Sequence, residues 1–143
     1  MEVLFICTGN TCRSPMAEVI FNETYKNAHA ESRGLFVQRG SKMTHNTKEI
    51  LNREYGYAKN REAEQVRETD VVNAEYIITM TDAQKNEITR QYGHERVYTL
   101  RELAGETGDV DDPYGKDIEI YADTFSEIRR LIQKIDNFEK YRR

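Results

Sequence analysis

The chain has 143 residues and a formal charge of −4, from 21 Lys and Arg against 25 Asp and Glu. That length suits one folded domain, and that balance argues against general affinity for nucleic acid or an anionic membrane. No apolar run approaches the ~18 residues of a membrane span, and the N-terminal Val3 to Cys7 stretch is too short for the ~7 to 15 residue core of a secretion signal, so a cytoplasmic protein is expected.

Met1 to Cys7 is a continuous apolar run of strand length, which predicts the central strand of a parallel sheet covered on both faces. Gly9 and Asn10 interrupt it. Ser14-Pro15 then has the form of a helix start, with Ser14 as N-cap and Pro15 in the first helical position, and the helix is expected to reach about Ala28. Leu35 to Arg39 is a short strand candidate. Ser41 to Glu68 is polar, with Ile50, Leu51 and Tyr55 forming one helical stripe and Gly56 its C-cap. Ala74 to Met80 reads as a second buried strand, Thr81-Asp82 caps a helix to about Tyr92, and Gly93 ends it. Val97 to Leu100 supplies a further strand. From Asp117 onward, Ile118, Tyr121, Ala122, Phe125, Ile128, Ile132 and Ile135 recur at the steps of a long amphipathic helix. Strands alternating with helices predict the α/β class, a single-domain open parallel sheet with helices on both faces, spanning residues 1–143.

Cys7-Thr8-Gly9-Asn10-Thr11-Cys12-Arg13-Ser14 falls where a strand passes into a helix, the edge at which open α/β sheets hold ligands. A loop closing on a helix N-terminus turns N–H groups inward and, with the helix dipole, forms an oxyanion cradle. Gly9 is expected to permit the turn. The same field favours the thiolate of a cysteine that faces it, so Cys7 is the candidate nucleophile. Arg13 adds a planar fork for two phosphate oxygens. Five residues separate Cys7 from Arg13, enough to encircle an anion, and Ser14 is placed to donate to the sulfur. The competing reading is a structural Cys7 beside a capping Ser14 and an unrelated Arg13; the strand before and the Ser-Pro start after favour the phosphate loop.

A thiolate attacking phosphorus needs a proton donor for the leaving group. In Asp111-Asp112-Pro113-Tyr114-Gly115 the candidate is Asp112, with Pro113 fixing the backbone and Tyr114 offering a pocket wall. By itself the segment also reads as an acidic turn before the last helix. The two cysteines share one short loop and cannot staple the fold, so Cys12 either lines the loop or captures an oxidised Cys7 as a disulfide. His29, His45 and His94 are scattered without ligand spacing; no metal and no cofactor is expected.

Cys7 to Pro15 together with Asp112-Pro113-Tyr114 resembles the low-molecular-weight protein tyrosine phosphatases, and within them the bacterial protein arginine phosphatase branch. The resemblance covers nearly the whole chain. It implies a sheet of about four parallel strands, Cys7 as phosphocysteine-forming nucleophile, Arg13 as phosphate clamp, and Asp112 as general acid and then base for water. Asn10 and Ser14 are implied to hold the loop and orient the thiolate, with Thr8, Gly9, Thr11, Cys12 and Tyr114 around the bound substrate. Phosphorylated proteins are the implied partners and inorganic phosphate the product and ligand. Two departures stand out: Ser32-Arg33-Gly34 replaces the more usual Ser-Ala-Gly, and the segment after Gly56 lacks a histidine often found there, with Arg61 nearest in register.

Thr11 stands where the tyrosine-specific pattern has an apolar Ile or Leu and the arginine phosphatases have Thr. A smaller polar residue leaves room and a hydrogen-bonding group for a guanidinium, whereas an apolar one suits an aromatic ring. Phosphoarginine is therefore favoured over phosphotyrosine. Arsenate reductases on this scaffold need further cysteines, which this chain lacks. A catalytically silent phosphate-binding module is the rival from another class, and the joint presence of Cys7, Arg13 and Asp112 favours the enzyme.

Overall fold

The computed structural model describes residues 1–142. Its first strand, β1 (Val3–Cys7), is buried along its whole length. Alternation along the strand sends Val3, Phe5 and Cys7 into one core and Leu4 and Ile6 into the other, so both faces of the sheet are covered. β1 pairs in parallel with β2 (Ala30–Gly34) and β3 (Tyr76–Thr79), and β3 with β4 (Val97–Thr99), giving the order β2-β1-β3-β4.

The larger core lies under α1 (Arg13–Thr24), α2 (His45–Tyr55) and α6 (Ile118–Lys134). The predicted stripe of α6 is the face it buries, through Tyr121, Phe125, Ile128 and Ile132. A 3₁₀ turn at Asp136–Tyr141 closes this side, where Phe138 meets Phe21 edge-on at 5.1 Å between ring centroids. Each such side chain contributes roughly 1.5 to 3 kcal/mol by burial. On the opposite face α3 (Glu68–Asn73) and α4 (Asp82–Tyr92) cover the smaller core with Val71 and Ile88. A single turn, α5 (Leu100–Leu103), follows β4 directly.

The caps read from the sequence hold at α2 and α4. Gly56 and Gly93 end these helices in the left-handed region at φ 66° and 63°, and Thr81 opens α4 by accepting from Gln84 N–H at 3.1 Å. Two expectations do not hold. The N-cap of α1 is Cys12, and Ser14 makes no cap bond because its hydroxyl is used inside the loop; Pro15 sits in the third helical position, and the helix ends at Thr24 rather than Ala28. The second strand is Ala30–Gly34, not Leu35 to Arg39. Its polar sequence hides it, because Arg33 is 7% exposed yet surrounded by the carboxylates of Glu31, Glu64 and Asp70 at 2.9, 3.5 and 3.3 Å.

Candidate active site

β1 ends at Cys7, buried at 3% exposure, and the chain turns back onto the start of α1. The turn is made at Asn10, whose φ of 57° is the one positive value outside glycine among the described residues. Its own side chain offsets that strain. Nδ2 donates to Ser14 Oγ at 2.8 Å and to Ser32 Oγ at 3.0 Å, while Oδ1 accepts from Glu64 N–H at 3.0 Å. Gly9, expected to permit the turn, has no positive φ, and a Cβ there would meet only Thr11 Oγ1, at 3.8 Å. The left-handed residue is Asn10, and Gly9 keeps the cleft clear of a side chain.

Among the described residues, the backbone N–H groups of Gly9 to Ser14 donate to no protein acceptor. Those of Arg13 and Ser14 belong to the first turn of α1, where the helix dipole is positive and an anion is favoured. Ser14 Oγ lies 2.9 Å from Cys7 Sγ. Arg13, 6% exposed, donates to Val110 O at 2.8 Å and lies 3.6 Å from Asp112 Oδ2, so the loop and the acidic turn meet through its guanidinium. Asp112 is 53% exposed at its side chain and accepts from Tyr114 N–H at 3.1 Å.

These residues enclose a cleft of about 220 Å³. It brings together Cys7, Thr8, Gly9, Thr11, Cys12, Arg13, Asp112 and Tyr114 from the sequence reading; Asn10 and Ser14 stand behind it and hold the loop. Phe36, Gln38 and Ser41 also line it and were missed. They follow β2, whose strand character the sequence conceals, and the one available signal was Phe36, a large apolar residue in a polar stretch and 62% exposed.

Neighbouring elements anchor the loop on two sides. Thr44 caps α2 and donates its N–H to Thr11 O at 3.1 Å, and Gln84 of α4 donates to Thr8 Oγ1, also at 3.1 Å. Cys12 Sγ is ringed by hydroxyls, 3.4 Å from Tyr121 and 3.6 Å from Thr44 and Thr11. Burial, then the bond with Cys12, pushes the Tyr121 phenol up to about 12, so it stays a neutral hydroxyl at ordinary pH. Among the described residues no group of three His, Cys, Asp or Glu side chains could hold a metal ion, and no helix is long and apolar enough to cross a membrane.

The family profile described as "Low molecular weight phosphotyrosine protein phosphatase" matches residues 2–140. The low molecular weight protein-tyrosine-phosphatase PtpB of Staphylococcus haemolyticus is 39% identical over 136 residues, covering 94% of this chain and 97% of that protein. Among solved structures, the low molecular weight protein tyrosine phosphatase from T. tengcongensis superposes with a TM-score of 0.90 at 39% identity, over 96% of this chain and 98% of that one. A C7S mutant of the YwlE arginine phosphatase with a phosphorylated active site serine also reaches 0.90, at 35% identity over 99% and 98% of the two chains. With a profile match along nearly its whole length and this level of identity, the chain belongs to the low molecular weight protein tyrosine phosphatases, enzymes that act on proteins by cysteine-based catalysis.

Proposed function

We propose that residues 1–143 form one phosphatase domain that hydrolyses phosphorylated protein side chains through a cysteinyl phosphate on Cys7, with phosphoarginine preferred to phosphotyrosine. The observation that carries this reading is the convergence of Cys7, Arg13 and Asp112 on one cleft, under a loop of unbonded N–H groups. Those N–H groups and the Arg13 fork take the three non-bridging phosphate oxygens, which also spreads the charge of the transition state. The Cys7 thiolate attacks phosphorus, the bond from phosphorus to the leaving nitrogen or oxygen breaks, and Asp112 gives that atom a proton. Asp112, now a carboxylate, takes a proton from water as the water oxygen attacks phosphorus. The S–P bond breaks, inorganic phosphate leaves, and the thiolate returns beneath the Ser14 hydroxyl.

Thr11 on the cleft and the half-exposed carboxylate of Asp112 supply polar partners for a guanidinium. The YwlE neighbour is named an arginine phosphatase, which supports the same choice. Phosphotyrosine is the second reading, favoured by the aromatic walls Phe36 and Tyr114, 62% and 66% exposed, and by the name of the PtpB relatives. Cys12 is the proposed redox partner. After peroxide converts Cys7 to a sulfenic acid, the Cys12 thiol attacks that sulfur, water leaves, and a disulfide protects the nucleophile. Both thiols are free and buried in the same loop, and such thiols fit the reducing cytoplasm, where we place the enzyme.

The test is a side-by-side measurement of kcat/KM on phosphoarginine and phosphotyrosine peptides. Wild type is expected to prefer phosphoarginine. Thr11→Ile, which trades the hydroxyl for a larger apolar arm, is expected to lower the preference by about 10- to 200-fold. Equal slowing on both substrates makes Thr11 a loop support without selectivity, and a wild-type preference for phosphotyrosine overturns the arginine reading.

A further inference from the structure

Phe36, one of the two aromatic walls of the cleft, is 62% exposed and also borders a second, shallow groove with Val37, Gln65 and Gln91. Its ring therefore stands between two open spaces, and its position depends on the backbone that carries it.

That backbone, Leu35 to Val37, is held by two sets of bonds. Leu35 N–H donates to Cys7 O at 3.0 Å and Phe36 N–H to Thr8 O at 2.9 Å, which lays the stretch against the start of the phosphate loop. The second set comes from one side chain. Val37 N–H donates to Gln65 Oε1 at 2.9 Å, and Gln65 Nε2 donates to Leu35 O at 2.7 Å, so a single amide bridges the residues on either side of Phe36. Its orientation is fixed by these partners, because a backbone N–H only donates and a carbonyl only accepts. Among the described residues, no other side chain hydrogen-bonds the backbone of Leu35, Phe36 or Val37. Gln65 is itself anchored. Gly34 N–H donates to Glu64 O at 2.8 Å and Val66 N–H to Gly34 O at 2.9 Å, which sets Gln65 parallel to Gly34 as an added rung beside β2. The Gln65 side chain is exposed, so replacing it opens no cavity.

We infer that Gln65 is a positioning residue for Phe36: its amide fixes the aromatic wall against which the phosphorylated side chain lies, and so strengthens substrate binding from outside the cleft. The inference rests on the reading that this side chain enters the cleft beside Phe36. Without the amide, Leu35 O and Val37 N–H turn to water, and the ring spends part of its time over the shallow groove instead of the cleft. The wall acts while the leaving group is present. Hydrolysis of the cysteinyl phosphate, after the leaving group has gone, does not feel it, and neither does a phosphate ion seated in the loop alone.

The experiment measures kcat and KM on phosphoarginine and phosphotyrosine peptides, the inhibition constant of inorganic phosphate, and the unfolding midpoint, all on the same preparations. Gln65→Met keeps the side chain's length and removes both bonds. On the peptide that wild type prefers, it is expected to raise KM about three- to tenfold, with kcat within about twofold and phosphate inhibition unchanged. Phe36→Ala is expected to raise KM at least as much, and adding Gln65→Met to it is expected to raise KM no further, because the amide acts only through the ring. A rise in the double variant equal to the product of the two single rises overturns the positioning role. Wild-type KM in Gln65→Met overturns it as well, whatever the unfolding midpoint does. So does a loss of phosphate inhibition that matches the rise in KM, since that places the effect on the loop. Wild-type KM in Phe36→Ala is a different failure: it removes the wall from the reading of the cleft, and the inference with it.

Discussion

Asp112 and Arg13 face each other at 3.6 Å, with the carboxyl group half exposed and the guanidinium also held by Val110 O. A phosphate entering the cleft competes for the same guanidinium and frees the Asp112 carboxyl group to stand, in its acid form, over the leaving atom. Asp112→Asn is therefore expected to lower kcat by about 10²- to 10⁴-fold on phosphoarginine. The defect should shrink on an aryl phosphate whose leaving group needs no proton. A larger loss in Asp111→Asn, in the same assay, would move the acid role one residue upstream. At this scale the sequence was legible where chemistry is local, since Cys7, Arg13 and Ser14 share one loop and their spacing is visible. Ser14 was only half legible, because one hydroxyl can cap a helix or donate to sulfur and nothing in the letters chooses. Asn10 was assigned to the loop, but the turn was credited to Gly9, because glycine is the usual occupant of the left-handed conformation that Asn10 adopts here.

Elements carry the loop as much as its own residues do. Gly34 at the end of β2 lies so close to the loop that a Cβ would stand 2.5 Å from Val37 Cγ2, 2.9 Å from Thr8 O and 3.1 Å from Asn10 N. Gly34→Ala is expected to cost ~1 to 3 kcal/mol of stability through this overpacking and to lower kcat by displacing the loop backbone. Thermal unfolding and kinetics on one preparation check both, and a fully active, fully stable variant would show that the loop yields without cost. Helices α2 and α4 were readable because their ends are written in local chemistry, Thr81 before α4 and Gly56 and Gly93 after the two helices, while the Thr44 cap of α2 emerged only in the structure. β2 was not. Besides Glu31 in the same strand, the partners of Arg33 are Glu64 and Asp70, far along the chain, so part of what offsets the charge that argues against a strand exists only in three dimensions. Phe36, Gln38 and Ser41 were lost with it, because they reach the cleft only once β2 is placed.

Across the whole molecule, ion pairs tie distant segments and make stability depend on pH. Hydrogen bonds from Arg130 and Lys134 hold the Glu106 carboxyl down at about 2, and Lys140, opposed by partial burial, lowers Glu75. A carboxyl whose folded value is depressed stabilises the fold above its unfolded value and loses that contribution as pH falls through the folded one. Burial first, then Glu75, pushes the Tyr141 phenol up to about 12, and Tyr121 is raised to about 12 as well. For these the sign reverses: their contribution is complete below about 10 and is lost as pH rises toward 12. The unfolding midpoint should therefore be flat through neutral pH, fall below about 4.5 in acid, and fall again above about 10 in alkali. A midpoint that declines steadily between pH 6 and 9 would contradict this balance, and moderate salt should weaken the acid limb because these pairs lie near the surface.

The cysteinyl phosphate tests the central claim most directly. An aryl phosphate whose leaving group needs no proton is mixed with the Asp112→Asn enzyme, which still forms the intermediate but lacks the base that activates water for its hydrolysis, and the reaction is quenched within the first turnover for peptide mass spectrometry. The account predicts one phosphate, carried on Cys7, and no release of inorganic phosphate by a Cys7→Ser protein. Phosphate on another side chain during turnover, or continued hydrolysis by Cys7→Ser, would contradict it.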